Sequence, residues 1–107
     1  MKSVVGGFLG CAIAGHMASA IAEEIVITQK NLQFSPTIKV IKPDDVISFK
    51  NEDTVIHNII SLTKDFEFDL GKVKPGMIKN LQFNKEGVVD IECTVHPKMK
   101  MTLFIQE

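Results

Sequence analysis

The sequence is poor in several residue types, and each gap argues against a class of function. Its 107 residues contain no Trp, no Tyr and no Arg, and the Lys residues are spread along the chain. Without a basic cluster or these aromatic side chains, binding to nucleic acid is not expected. No apolar run approaches the roughly 20 residues that a membrane-spanning helix needs. No nucleophile–base pair or paired-carboxylate motif stands out, so we do not expect an enzyme.

The first 22 residues have the organisation of a secretory signal peptide. Lys2 provides a positive start, Val4–Ala14 is an uncharged apolar run, and Ala20-Ile21-Ala22 is an A-x-A cleavage pattern. A cut after Ala20 is the nearest competitor. We therefore expect cleavage after residue 22 and export of the remaining chain to the periplasm.

A lipoprotein site is the alternative reading of the leader. Leu9-Gly10-Cys11 is a poor version of an acylation motif, because Phe8 is unsuited to its first position and little apolar chain precedes it. With conventional cleavage, residues 23–107 would form a single small domain, which we expect to be a monomer.

Cysteine is scarce in this expected mature chain. Cys11 is lost with the leader, and Cys93 is then the only thiol. It cannot form an internal disulfide, although small exported domains often depend on one. Either Cys93 is an ordinary buried core residue, or its thiolate has a chemical role.

The pattern of the mature chain predicts β-strands. Short β-branched or aromatic runs, several with period-two alternation, are separated by Pro, Gly, Asn and Asp turn signals. The predicted strands are 24–29, 37–42, 46–51, 77–83, 88–93 and 101–106. Residues 61–74 are partly polar and are predicted to be mostly loop. These features indicate an all-β domain, a small Greek-key β-sandwich of two sheets.

Alternation places the cysteine at the inner end of a strand. Val89, Ile91 and Cys93 share one face of the segment 88–93, and their acidic neighbours point to the other face. His96 and Met99 lie on the loop that follows. A thiolate held by a strand and followed by further ligands on a short loop suits a preorganised metal site.

A metal needs a third strong donor from elsewhere, and His57 is the candidate. It is the only other histidine after residue 22, and it lies in an apolar segment where it should be buried. A lone histidine in such a strand is more often structural. However, two His, one Cys and a weak axial Met are the ligands of a blue-copper electron-transfer site. Zinc on His57, Cys93 and His96 with a water is the competing interpretation.

Several motifs together resemble the cupredoxin family of type 1 copper proteins. They are Asn51-Glu52-Asp53, His57-Asn58, Pro75-Gly76 and the segment Cys93–Met99. The resemblance implies a Greek-key sandwich of eight or slightly fewer strands, one copper ion alternating between Cu(I) and Cu(II), and single-electron transport between partner proteins. It implies that the three equatorial ligands are His57, Cys93 and His96.

The resemblance leaves the axial ligand open between two methionines. Amicyanin-like loops select Met99, three residues after His96, whereas pseudoazurin-like and plastocyanin-like loops select Met101. The segment His96-Pro97-Lys98-Met99 favours Met99, and Met101 alternates with core residues of the last predicted strand.

The resemblance also implies outer hydrogen bonds and a docking surface. Asn58 should tie the two ligand segments together through Thr94, and its backbone N–H should donate to the sulfur of Cys93. An apolar patch around His96, with Pro97, Met77 and Ile56, should receive redox partners in transient complexes. Lys98 and Lys100 flank this loop, and we hypothesise that they steer an acidic partner.

A second function has the same ligand set. A copper-binding or copper-delivery protein in copper homeostasis would hold the ion exchangeably, and open Met-rich or His-rich tracts would favour it. The sequence contains no such tract. A multicopper enzyme would need additional histidines, which the mature chain lacks.

Overall fold

The computed structural model describes residues 23–107. The predicted signal peptide, including Cys11, lies outside the described residues. Within them the chain forms nine strands: β1 (Glu24–Lys30), β2 (Gln33–Ser35), β3 (Ile38–Ile41), β4 (Val46–Asn51), β5 (His57–Ser61), β6 (Phe68–Val73), β7 (Ile78–Leu81), β8 (Gly87–Glu92) and β9 (Lys100–Ile105). The described part of the chain holds no helix long and apolar enough to cross a membrane.

The strands form two mixed sheets. A five-stranded sheet has the order β3-β9-β8-β5-β6, and a four-stranded sheet has the order β2-β1-β4-β7. β3 pairs with β9 in parallel, and so does β1 with β4, while the remaining pairs are antiparallel. The predicted all-β, two-sheet fold is confirmed.

Alternating side chains build the core from the inner faces of both sheets. In β9, Met101, Leu103 and Ile105 are buried, while the residues between them are partly exposed. β8 shows the same alternation, with Val89 and Ile91 fully buried. This period-two burial is the physical basis of the pattern seen in the sequence.

The prediction that residues 61–74 are mostly loop was wrong in its second half. Residues 62–67 do connect two strands, but Phe68–Val73 forms β6 at the edge of the five-stranded sheet. Only Val73 of this strand is fully buried, and Asp69 and Lys72 face solvent. Because five of the six residues of this strand are partly or fully exposed, its sequence lacks a continuous apolar face and resembles that of a loop.

The sequence also missed β2. The chain turns back at Asn31-Leu32, pairs briefly with β1, and passes to the other sheet before β3 begins. The three residues of β2 are too few to show alternation. The strand β5 (His57–Ser61) was not among the six predicted strands either, and with β2, β5 and β6 the described residues contain nine strands, more than the resemblance implied.

The strand directions gather four connections at one end of the sandwich. They are the β1–β2 turn, the β4–β5 loop, the β6–β7 turn and the β8–β9 loop. In the β6–β7 turn, Pro75 precedes Gly76 at φ +84°, and the N–H of Met77 donates to the carbonyl of Lys74 at 2.9 Å. This is a type II turn, whose third position requires a positive φ. All residues predicted to bind the metal lie at this end.

Candidate metal centre

Two neighbouring strands bring His57 and Cys93 together. His57 is the first residue of β5 and Cys93 directly follows β8, which pairs with β5. Both side chains are fully buried, and the Sγ atom of Cys93 lies 3.8 Å from Nδ1 of His57. The two residues are 36 positions apart in sequence, so the sheet creates this contact.

The β8–β9 loop adds the second imidazole. The N–H of Met99 donates to the carbonyl of His96 at 2.9 Å, and the N–H of Cys93 donates to the carbonyl of Met99 at 3.2 Å. These bonds fold the loop over the end of the sheet. Nδ1 of His96 consequently lies 3.1 Å from Nδ1 of His57.

The three donor atoms are close enough to hold one ion. Ligand atoms of His57, Cys93 and His96 all lie within 4.8 Å of one another. Bonds of about 2.0–2.1 Å to nitrogen and about 2.3 Å to sulfur, the lengths that zinc makes, would let one ion reach both donors of each pair separated by 3.1 and 3.8 Å. Thiolate suits Cu(I), and imidazole serves both oxidation states. The donor set therefore fits one copper ion.

The backbone register distinguishes the two candidate axial methionines. Lys100 pairs with Glu92 and Met101 with Ile91, so Met99 lies opposite Cys93 at the mouth of the site. Directly opposed residues place their side chains on the same face of a sheet. Both methionines are buried, but Met101 is one pleat deeper, in the row of Leu103 and Ile105.

Asn58 joins the two segments that carry the donors. Its backbone N–H points to Sγ of Cys93 at 3.4 Å. The side-chain Nδ2 of Asn58 donates to Oγ1 of Thr94 at 2.7 Å, and the backbone N–H of Thr94 donates to Oδ1 of Asn58 at 2.7 Å. The contacts expected from the resemblance are present; the influence of Asn58 and Thr94 on a bound metal stays a prediction.

Asp53 contacts the far side of the His57 ring, which the sequence analysis did not anticipate. Its Oδ2 lies 2.7 Å from Nε2 of His57. An ionised carboxylate only accepts hydrogen bonds, so Nε2 is the donor in this contact, and Nδ1 on the other side of the ring faces Cys93 and His96. Burial raises the pKa of the Asp53 carboxyl. Hydrogen bonds from His57, Leu32 and Asn31 outweigh that effect and lower its pKa below the ordinary value.

Asn51 holds the loop that presents Asp53. This fully buried residue donates from Nδ2 to the carbonyls of Val55 and Val73, both at 2.8 Å. Its Oδ1 accepts the N–H of Asp53 at 2.8 Å. Both N–H donors and the oxygen of this amide thus connect the β4–β5 loop to the end of β6.

The end of the sandwich that holds His96 is rich in exposed apolar side chains. His96 itself is half-buried, and Met77 and Ile56 are 37% and 40% exposed. Leu32 and Val95 add further exposed apolar area. A groove beside the imidazole is lined by Asn31, Leu32, Gln33, His96, Pro97 and Lys98.

Neither a protein family model nor a curated protein sequence matches this chain. Solved structures do resemble it. A Cu-containing nitrite reductase from Thermus scotoductus SA-01 has a TM-score of 0.73 at 21% identity; the match covers 78% of this chain but only 22% of the reductase. A purple cupredoxin from Nitrosopumilus maritimus has a TM-score of 0.69 at 21% identity, covering 77% of this chain and 99% of the cupredoxin.

A Cu(I) form of an amicyanin variant has a TM-score of 0.72 at 20% identity, covering 83% of this chain and 89% of amicyanin. Identities this low establish the fold alone. These solved structures agree with the two-sheet architecture of the chain. The chain therefore has the cupredoxin fold, and its His₂Cys cluster of two buried residues and the half-buried His96, with Met99 opposite the cysteine, fits a single copper ion of the blue-copper type.

Proposed function

We propose that this protein is an exported type 1 copper protein that carries single electrons between redox partner proteins. The proposed equatorial ligands are His57, Cys93 and His96, and the proposed axial ligand is Met99, with Met101 as the alternative. The observation that carries the proposal is the approach of three buried or half-buried donor atoms within 4.8 Å of one another. Bound copper would supply a one-electron Cu(I)/Cu(II) couple.

The residues around the donors favour small structural change during electron transfer. His57 is held at Nε2 by Asp53, and Cys93 accepts the backbone N–H of Asn58. Such outer hydrogen bonds fix the orientation of ligands and tune the metal. A donor set held in one geometry suits both oxidation states, so little reorganisation accompanies gain or loss of an electron.

The proposed route for the electron is the half-buried edge of His96. The exposed apolar side chains around it, including Pro97, Met77 and Ile56, would exclude water when a partner docks. Small interfaces of this kind suit transient redox encounters. The protein would act as a monomer, and its partners would be other redox proteins rather than nucleic acid.

Export to the periplasm follows from the leader-like residues 1–22 and remains part of the proposal. The intact mass of protein recovered from the periplasm tests it. A mass beginning at Glu23 is expected, whereas retention of residues 1–22 would contradict cleavage.

One visible spectrum tests the copper site. Adding Cu(II) to the purified protein should produce an intense visible band from thiolate-to-copper charge transfer. Cys93→Ser should abolish the band because it removes the thiolate. Thr94→Ser keeps every proposed ligand and serves as the control that should retain it. A colourless wild-type protein, or a band that survives Cys93→Ser, would contradict the assignment.

Two further measurements separate electron transport from copper delivery and from catalysis. An electron carrier should cycle reversibly between Cu(I) and Cu(II) and keep its ion during mild chelation, whereas a delivery protein should surrender it. The nitrite reductase resembles this chain over only 22% of its own length. We expect no nitrite reduction by the isolated protein, because residues 23–107 contain one cluster of His, Cys and acidic side chains suited to a metal, namely His57, Cys93 and His96.

A further inference from the structure

The carboxylate of Asp53 is fixed by three hydrogen bonds from two distant parts of the chain, the β1–β2 turn and the start of β5. Its Oδ1 accepts the N–H of Asn31 at 2.6 Å, and its Oδ2 accepts the N–H of Leu32 at 3.1 Å. Oδ2 also accepts from Nε2 of His57 at 2.7 Å. The side chain is only 12% exposed. The carboxylate is therefore held against the imidazole and is not a freely moving surface charge.

The β1–β2 turn supplies two of the three hydrogen bonds to this carboxylate. Asn31 and Leu32 both have positive φ, at 56° and 58°, which is costly for a residue such as Leu. This left-handed conformation points two successive N–H groups at Asp53. The four-stranded sheet, whose β1 leads into the turn, is in this way connected to a donor on the five-stranded sheet.

We propose that Asp53 is a positioning residue that orients His57 toward the copper and favours Cu(II) over Cu(I). The inference rests on the proposed copper site and assigns it a carboxylate–histidine–metal arrangement. A carboxylate that accepts from the outer nitrogen fixes the tautomer and raises the basicity of the inner nitrogen. Its negative charge, largely shielded from water, stabilises the more highly charged Cu(II) state more than Cu(I).

Asp53→Asn tests the role of the charge, with Glu52→Gln as the matched control. Glu52 is the adjacent residue, and its carboxylate contacts Lys50 at 3.8 Å. Each substitution removes one negative charge and nearly preserves shape. We expect Asp53→Asn to weaken Cu(II) binding by about 10- to 100-fold, the usual loss when an outer partner of a ligand is removed, and to weaken Cu(I) binding less.

The reduction potential gives an independent readout of the same difference. A tenfold loss of Cu(II) affinity relative to Cu(I) corresponds to a rise of about 59 mV for a one-electron couple. Asp53→Glu retains the charge and should recover part of the shift. An equal shift in Asp53→Asn and Glu52→Gln, or a lower potential in Asp53→Asn, would overturn the proposal.

A measurement on the metal-free wild-type protein covers the case in which Asp53→Asn fails to fold. Nitrogen-15 NMR of the His57 ring should show the proton on Nε2 and none on Nδ1. A proton on Nδ1 would overturn the inference. Absence of the thiolate-to-copper band in wild-type protein would instead refute the proposed function, so the two failures are distinguishable.

Discussion

At the residue scale, His57 shows how one side chain serves both stability and chemistry. It is fully buried, and each ring nitrogen has an assigned neighbour: Asp53 at Nε2, and Cys93 and His96 near Nδ1. A buried polar ring must have partners for its nitrogens, because leaving one unsatisfied costs about 1–3 kcal/mol. The contact with Asp53 therefore leaves Nδ1 of His57 facing the other candidate donors, Cys93 and His96.

Replacing each methionine separately should identify the axial ligand. Met99→Leu should alter the visible spectrum, the reduction potential and the copper affinity, since the axial thioether tunes such sites. Met101→Leu is a volume-conserving core substitution and should cost less than about 1.5 kcal/mol of unfolding free energy while leaving the spectrum unchanged. The opposite pair of spectra would assign Met101 instead.

The sequence indicated the candidate metal donors more readily than the residues that hold those donors in place. Cys93, His96 and Met99 lie within one short segment, and the soft ligand types are informative in themselves. Asp53 belongs to a motif that resembles the family, but its residue type alone does not indicate a contact with His57. Its role depends on the backbone of the distant Asn31-Leu32 turn, which the sequence pattern does not determine.

At the element scale, strands with regular alternation were predicted from the sequence, and the short or irregular strands β2, β5 and β6 were not. β8 and β9 alternate because one side of each packs in the core. β6 has a single strand neighbour, a register shift against β5 between Asn58 and Ile60, and Gly71 at φ +77°. These irregularities remove the periodic signal although the backbone still pairs.

The first residue of β8 offers a test of packing at the end opposite the metal centre. A Cβ added to Gly87 would lie 2.6 Å from Cε2 of Phe66, whose ring contacts Phe83 and Lys85. Gly87→Ala should therefore lower the free energy of unfolding by about 1–3 kcal/mol, the range for overpacking. Chemical denaturation measures this loss.

Phe66→Leu supplies the control background for this substitution. Because the smaller side chain removes the ring atoms that meet the new methyl group, Gly87→Ala should cost less in Phe66→Leu than in the wild-type protein. Equal costs in the two backgrounds would show that the contact with Phe66 is not the cause.

At the scale of the whole molecule, the donors and the apolar surface occupy one end of the sandwich. The connections at that end include the loop with His96 and the turn with Met77, while Phe66 and Lys85 lie at the other end. Lys98 and Lys100 are exposed beside the candidate site. The sequence as a whole has a net charge of −1, so these two lysines would form a local positive region on a mildly acidic protein.

Oxidation of the reduced protein by ferricyanide tests whether this region steers anions. We expect the rate to fall as salt rises, because screening weakens attraction beyond about 10 Å at 0.1 M ionic strength. The double variant Lys98→Gln, Lys100→Gln should lose that dependence. Lys64→Gln, Lys85→Gln makes the same charge change at the distant end and should retain it. Identical salt dependence in both double variants would contradict local steering.

The placement of the donors ties the candidate metal centre to the strand pairing beneath it. His57 begins β5, Cys93 follows β8, and Met99 lies opposite Cys93 just before β9, so two neighbouring ladders of backbone hydrogen bonds set the spacing of these residues. A substitution that disturbs either ladder should therefore displace donors that it does not itself replace.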